Sequence, residues 1–177
     1  MQRHKRHNSG GFTIVELLIV IVVIAILAAI TIVAYNGIQN RAKNTQINAA
    51  VRGYVTALKA YAVENNGTFP SGNACLGPAA FYTDNPCYIG AGTYNHSTTL
   101  NNSLAGYMNN NVPTLPSGRV SNGSNSGSGI FYYSGGNYIA FPQYGSSSCP
   151  TIAGLNEPAS VNHSQWGNDM YCRWNLS

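Results

Sequence analysis

The hydrophobic positions of the chain fall into patterns that change sharply along its length. From Phe12 to Tyr35 (FTIVELLIVIVVIAILAAITIVAY) they are almost continuous, and Glu16 is the single formal charge in twenty-four residues. As a helix this run spans about 36 Å, more than the ~30 Å hydrocarbon core of a bilayer. From Asn36 to Glu64 the pattern becomes periodic: Ile38, Ile47, Val51, Tyr54, Val55, Leu58, Tyr61 and Ala62 are separated largely by threes and fours, with polar residues between them. That spacing predicts an amphipathic helix. It adjoins the apolar segment, so the two read as one helix of roughly 54 residues, about 80 Å long, whose second half buries a stripe against a globular domain. Asn65-Asn66-Gly67 tolerates a left-handed cap and Pro70 blocks continuation, which places the helix end at Glu64 to Asn66.

Beyond Gly67 the elements become short. Cys75 to Cys87 is a loop punctuated by Gly and Pro. Leu100, Leu104, Tyr107 and Met108 share a helical spacing within Ser97 to Asn110, with Ser97, Thr98 or Thr99 as the N-cap and Pro113 and Pro116 closing the segment. Ser121 to Gly129 (SNGSNSGSG) is low in complexity and reads as a mobile loop. Ile130 to Tyr133 and Tyr138 to Phe141 flank Ser134-Gly135-Gly136-Asn137, the pattern of a β-hairpin with a glycine turn, and Met170 to Trp174 is a candidate third strand.

The flanks of the apolar run bear on its role. Arg3, Lys5 and Arg6 precede it, and basic residues before a membrane segment favour an N-in, C-out orientation. A secretory signal peptide has an apolar region of only about 7 to 15 residues, shorter than this run. A plain anchor has no use for Glu16, because a carboxylate at membrane depth is unfavourable by several kcal/mol or so and usually serves function.

Gly11-Phe12-Thr13-Ile14-Val15-Glu16-Leu17-Leu18 resembles the N-terminal signature of type IV pilins and pseudopilins: a basic leader ending in Gly, a Phe opening the mature chain, a Glu five residues in, and an unbroken apolar helix. The resemblance covers residues 3 to 70; beyond that it is one of architecture. It implies cleavage between Gly11 and Phe12 by a prepilin peptidase, with methylation of the new Phe12 amine. It also implies an α+β fold in which a long N-terminal helix packs its amphipathic half on a small antiparallel sheet. Four regions follow: leader 1–11, transmembrane or filament-core helix 12–35, stalk helix 36–66, and a disulfide-stapled globular domain 67–177. The implied partners are further copies of the chain, the peptidase, the membrane, an assembly platform and its ATPase. The Phe12 amine and the Glu16 carboxylate lie about one helical turn apart. Unpaired, either is costly in an apolar bundle, so pairing one subunit's amine with a neighbour's Glu16 sets the axial register. The chain departs from the family in having Val33 where many members carry a proline; β-branched Ile32 and Val33, with Gly37, lower helix propensity there to a smaller degree.

Charge and composition narrow the rest. The 177 residues leave about 140 outside the leader and membrane segment, enough for one core. Charged residues are only 8%, so solubility rests on neutral polar groups, which suits a surface that packs against its own copies. The formal +4 falls to +1 once the leader is gone. Arg41, Lys43, Arg52 and Lys59 lie on the stalk, where a solvated helix face is favoured over contact with a polyanion such as DNA.

Cys75, Cys87, Cys149 and Cys172 would be exported, where disulfides are favoured over thiol chemistry. Three pairings exist; Cys75 with Cys87 and Cys149 with Cys172 each close a local loop and are preferred. His96 and His163 lack metal-ligand spacing, and no cofactor or catalytic constellation emerges: there is no G-x-S-x-G, and Asp84, Glu157 and Asp169 are scattered. Six N-x-S/T sequons, including those at Asn66 and Asn122, are close to chance in a chain this rich in Asn and Ser. Tyr132, Tyr133, Tyr138, Tyr171 and Trp174 are read as alternating between a sheet's core and outer face rather than as a binding surface. The reading is a structural filament subunit and not an enzyme, with minor pilin, secretion pseudopilin and DNA-uptake pilin as variants. A membrane-anchored surface enzyme or adhesin that never polymerises is the rival of a different class.

Overall fold

In the computed structural model, residues 11–83, 86–155 and 164–176 are described. The chain divides into two units, one ending at Ile38 and the other running from Gln39 onward. Helix α1 (Ile14–Glu64) contributes to both. In the first unit the large apolar side chains described, from Phe12 to Ile38, are all exposed, so no described residue covers them. The helix is unbroken through Thr31 to Gly37, Val33 included.

α1 ends within the expected window. The Gly67 N–H bonds the Ala62 carbonyl at 2.7 Å, Asn66 adopts φ 54°, and the Asn65 side chain bonds the Tyr61 carbonyl at 2.8 Å. This six-to-one bond across a left-handed residue satisfies carbonyls that would otherwise be orphaned.

The second unit forms around the buried stripe of α1: Ile47, Ala50, Val51, Tyr54, Val55, Ala57, Leu58 and Ala62. The stripe starts later than its sequence periodicity implies, since Ile38 is 68% exposed. Against it stands a five-stranded antiparallel sheet made of β1 (Ala74–Leu76), β6 (Ile130–Tyr133), β7 (Tyr138–Gln143), β9 (Asp169–Asn175) and β8 (Ser164–Trp166), in that spatial order. Tyr132 pairs Ile139, Ile139 pairs Trp174 and Phe141 pairs Cys172, which puts these side chains on one face with Gln143. That face meets α1, where Gln143 Nε2 donates to Asn48 Oδ1 at 2.8 Å. The hairpin and the strand around Met170 stand where the sequence places them, with the sheet extended at both edges.

The other face is covered too. β2 (Tyr88–Ile89), β3 (Thr93–Tyr94), β4 (Val120–Ser121) and β5 (Ser126–Gly127) make a four-stranded sheet in the order β3-β2-β5-β4. The Tyr88 ring stacks on Phe131 at 5.4 Å, and a Cβ at Gly127 would collide with Tyr171. This corrects the reading of Ser121 to Gly129 as a mobile loop. Asn122 Oδ1 accepts from the Ser124 and Asn125 N–H groups, and the Asn122 N–H bonds the Asn125 carbonyl at 3.1 Å, so the segment closes a hairpin turn. Because both faces of the larger sheet are covered, consecutive Phe131 and Tyr132 are both buried instead of alternating.

Helix α2 (Thr98–Ala105) is capped by Ser97, whose hydroxyl accepts from the Leu100 N–H at 3.3 Å. It is shorter than its apolar spacing suggests, giving way to a tight turn at Gly106–Met108 and to left-handed Asn109 and Asn110. Asn101 is buried: its Nδ2 donates to the Cys75 and Ser97 carbonyls and its Oδ1 accepts from the Gly77 N–H. The sequon at Asn101 is therefore closed to modification in the folded chain. Cys75 is bonded to Cys87 and Cys149 to Cys172, with Cα separations of 5.4 and 5.6 Å. Each such bridge contributes about 2 to 4 kcal/mol.

Burial pushes the Tyr54, Tyr82 and Tyr171 phenols above their ordinary pKa, and that of Tyr132 to about 12. A phenol whose folded pKa is raised stabilises the fold fully below its unfolded pKa of ~10 and ceases to do so as pH climbs through the folded value. Rapid alkaline titration should therefore show a cooperative loss of near-UV circular dichroism above about pH 10, with phenolate absorbance appearing in the same step. Titration of all twelve phenols near pH 10 in an intact fold would contradict this burial.

Candidate functional site

The charged feature of the first unit is built by the opening turn of α1. Thr13 precedes the helix, and its Oγ1 accepts from the Glu16 N–H at 3.2 Å. Glu16 Oε2 in turn accepts from the Thr13 N–H at 2.8 Å and from the Thr13 hydroxyl at 2.7 Å. This is a reciprocal capping box: a threonine and a glutamate three residues on satisfy donors that a helix start leaves bare. The carboxylate also sits at the positive end of the helix dipole.

Thr13 is the residue that the reading of the sequence passed over. Its signal was present as Thr13-x-x-Glu16 ahead of an apolar run. Phe12 is 80% exposed, and a Cβ on Gly11 would meet nothing within 4 Å. Arg3, Lys5 and Arg6 lie outside the described residues.

Other candidates are placed elsewhere. On the stalk, Arg41 and Arg52 are exposed and Lys43 Nζ lies 5.2 Å from the centre of the Tyr144 ring, an arrangement of a solvated helix face. His96 Nε2 lies 3.0 Å from the Gly77 carbonyl. His163, Asp84 and Glu157 lie outside the described residues. Asp169 accepts from the Gly145 N–H at 2.7 Å. Trp174, Tyr132 and Tyr171 are core residues, while Tyr133 and Tyr138 stack on each other at 4.8 Å, partly exposed.

Gly11, Phe12 and the capped Glu16 thus open a helix whose apolar side chains are exposed. Residues 6–32 match the family model described as the prokaryotic N-terminal methylation motif, and the chain carries this type IV prepilin motif. It is 41% identical over 69 residues, 39% of its length and 52% of the relative's, to the type IV wide pilus major component PilA4 of Thermus thermophilus. Over 70 residues, 40% of the chain, it is 37% identical to a fimbrial protein of Neisseria meningitidis, of which it covers 41%. It is 36% identical, again over 70 residues and 40% of the chain, to the type IV major pilin protein PilE1 of Neisseria gonorrhoeae, covering 42%. The chain thus spans about half or less of the length of the curated relatives it matches. No solved structure matches it significantly.

Proposed function

We propose that this chain is the precursor of a structural subunit of a type IV pilus-like extracellular filament. It is held in the cytoplasmic membrane by residues 12–35 with its N-terminus inside, cleaved after Gly11 by a prepilin peptidase, methylated on Phe12, and drawn into a polymer of its own copies by an assembly platform and ATPase. The single observation that carries the reading is the methylation motif at residues 6–32 heading a helix whose apolar side chains are exposed. In a membrane those side chains contact lipid; in a filament they contact the same side chains of neighbouring subunits. Exchange of one apolar surrounding for the other lets a single segment serve both states. The head, residues 67–177, then forms the outer surface.

Terminal-peptide mass spectrometry tests the processing. The mature chain should begin with Phe12 carrying one methyl group on its amine. A chain starting at Met1, or cut after Ala28 or Ala29, would exclude this function. Sheared surface fibres should contain the chain as a repeating subunit; recovery solely from membranes would favour a non-polymerising anchor.

A further inference from the structure

We propose that a cleft on the globular unit binds a small, singly charged organic anion, a carboxylate carried on a hydroxylated ring such as a uronic acid, with Arg119 as its charge partner. The cleft holds about 460 Å³ and is lined by Ala80, Phe81, Ser117, Gly118, Arg119 and Ser128. That volume falls within the roughly 300 to 1,000 Å³ of small-ligand sites.

Arg119 is partly buried. Its guanidinium donates to Ser126 Oγ at 2.7 Å, to Ser128 Oγ at 3.4 Å and to the Pro86 carbonyl, all neutral acceptors. Among the described residues no carboxylate pairs with it. A guanidinium offers five N–H donors, so two are left without a protein acceptor among those residues. A cation drawn out of water with no counter-charge among its described neighbours is unfavourable unless an anion joins it. The surplus charge and the open volume coincide at this one side chain.

The walls are fixed in advance. Gly118 has φ +139°, a Cβ there would lie 2.9 Å from the Tyr144 ring, and the Tyr144 hydroxyl donates to the Gly118 carbonyl at 3.1 Å. At Gly129, with φ +60°, a Cβ would collide with the Tyr82 hydroxyl. Ser128 is 5% exposed and its hydroxyl donates to the Pro86 carbonyl at 3.3 Å. A site held by supports of this kind loses little freedom on binding. One cation suits a monoanion better than a phosphate dianion. Phe81 offers an apolar face to a sugar ring, and the exposed Ser117 hydroxyl offers a partner for a ring hydroxyl.

The test is a titration of the 15N-labelled full chain in detergent micelles with sodium galacturonate, methyl galactopyranoside and inorganic phosphate. Galacturonate should give saturable shifts at the Gly118, Arg119 and Ser128 amides, and the neutral glycoside should bind roughly tenfold more weakly or worse, as expected when a charge-assisted hydrogen bond is lost. Arg119→Gln should abolish the response, but it also cuts ties to Pro86 and Ser126. Ala80→Trp, at an exposed rim position, fills the cleft without touching those ties and should abolish the shifts while the rest of the spectrum is retained. Absence of saturable shifts, an equal response to the neutral glycoside or to phosphate, or unchanged binding by Ala80→Trp would overturn the assignment.

Discussion

Glu16→Ala should give a chain that is cleaved, inserted in the membrane and missing from sheared surface fibres. Insertion should not suffer, because a charged side chain at membrane depth is unfavourable by about 2.5 kcal/mol or more near the centre and less near the interface. Assembly should fail because the Phe12 amine of a neighbour then enters an apolar core uncompensated, and breaking a buried ion pair costs about 3 to 5 kcal/mol. The capping box complicates the reading, since the same substitution also removes the acceptor of the Thr13 N–H and hydroxyl. Two further variants separate the roles. Thr13→Ala weakens the cap by roughly 1 kcal/mol and leaves the carboxylate, so fibres should persist. Glu16→Gln keeps an oxygen for Thr13 and loses the charge, so fibres should be absent. Normal fibre yield from Glu16→Gln, measured by immunoblot of the sheared fraction, would refute charge pairing between subunits.

Gly11→Leu should accumulate as uncut precursor in the membrane, with no fibre formed. The structure makes this a clean experiment, because a Cβ added at Gly11 meets no atom of the described residues beyond its chain neighbours within 4 Å, and Gly11 takes no part in the Thr13–Glu16 cap. Any block must then arise in the peptidase, whose site would have to admit the residue before the scissile bond. Intact mass distinguishes the outcomes: the full precursor for a block, the Phe12-started methylated chain for none. A Gly11→Leu chain that is cut and methylated at the wild-type rate would exclude recognition of Gly11. The two variants also fail at different steps, Gly11→Leu before processing and Glu16→Ala after it.

Much of the fold can be read locally. Asn65-Asn66-Gly67 marks the end of α1 because left-handed residues, the bond from Gly67 to Ala62 and the Asn65 side chain on the Tyr61 carbonyl close that end. The hairpin of β6 and β7 is legible in Ser134-Gly135-Gly136-Asn137 between two apolar runs. Thr13 could be read as a cap, given the glutamate three residues on, but it hides within an apolar run whose hydrophobicity dominates the eye. By contrast β2 to β5 are two residues each, too short to show any period. Ser126-Gly127 becomes strand because Gly127 leaves room for Tyr171, a fact of tertiary contact. The Arg119 cleft is likewise invisible along the chain, since its lining residues come from three separate segments.

By itself the sequence determined the apolar helix with its one carboxylate, the methylation motif, the amphipathic continuation and the β6–β7 hairpin, because each depends on neighbours within a few residues. Only the tertiary structure decided where the buried stripe of the stalk begins, that both faces of the larger sheet are covered, that Asn101 is consumed in the core, and that Arg119 lines open volume. Those outcomes depend on which distant segments meet, and burial of one surface by another has no counterpart in the local pattern of either.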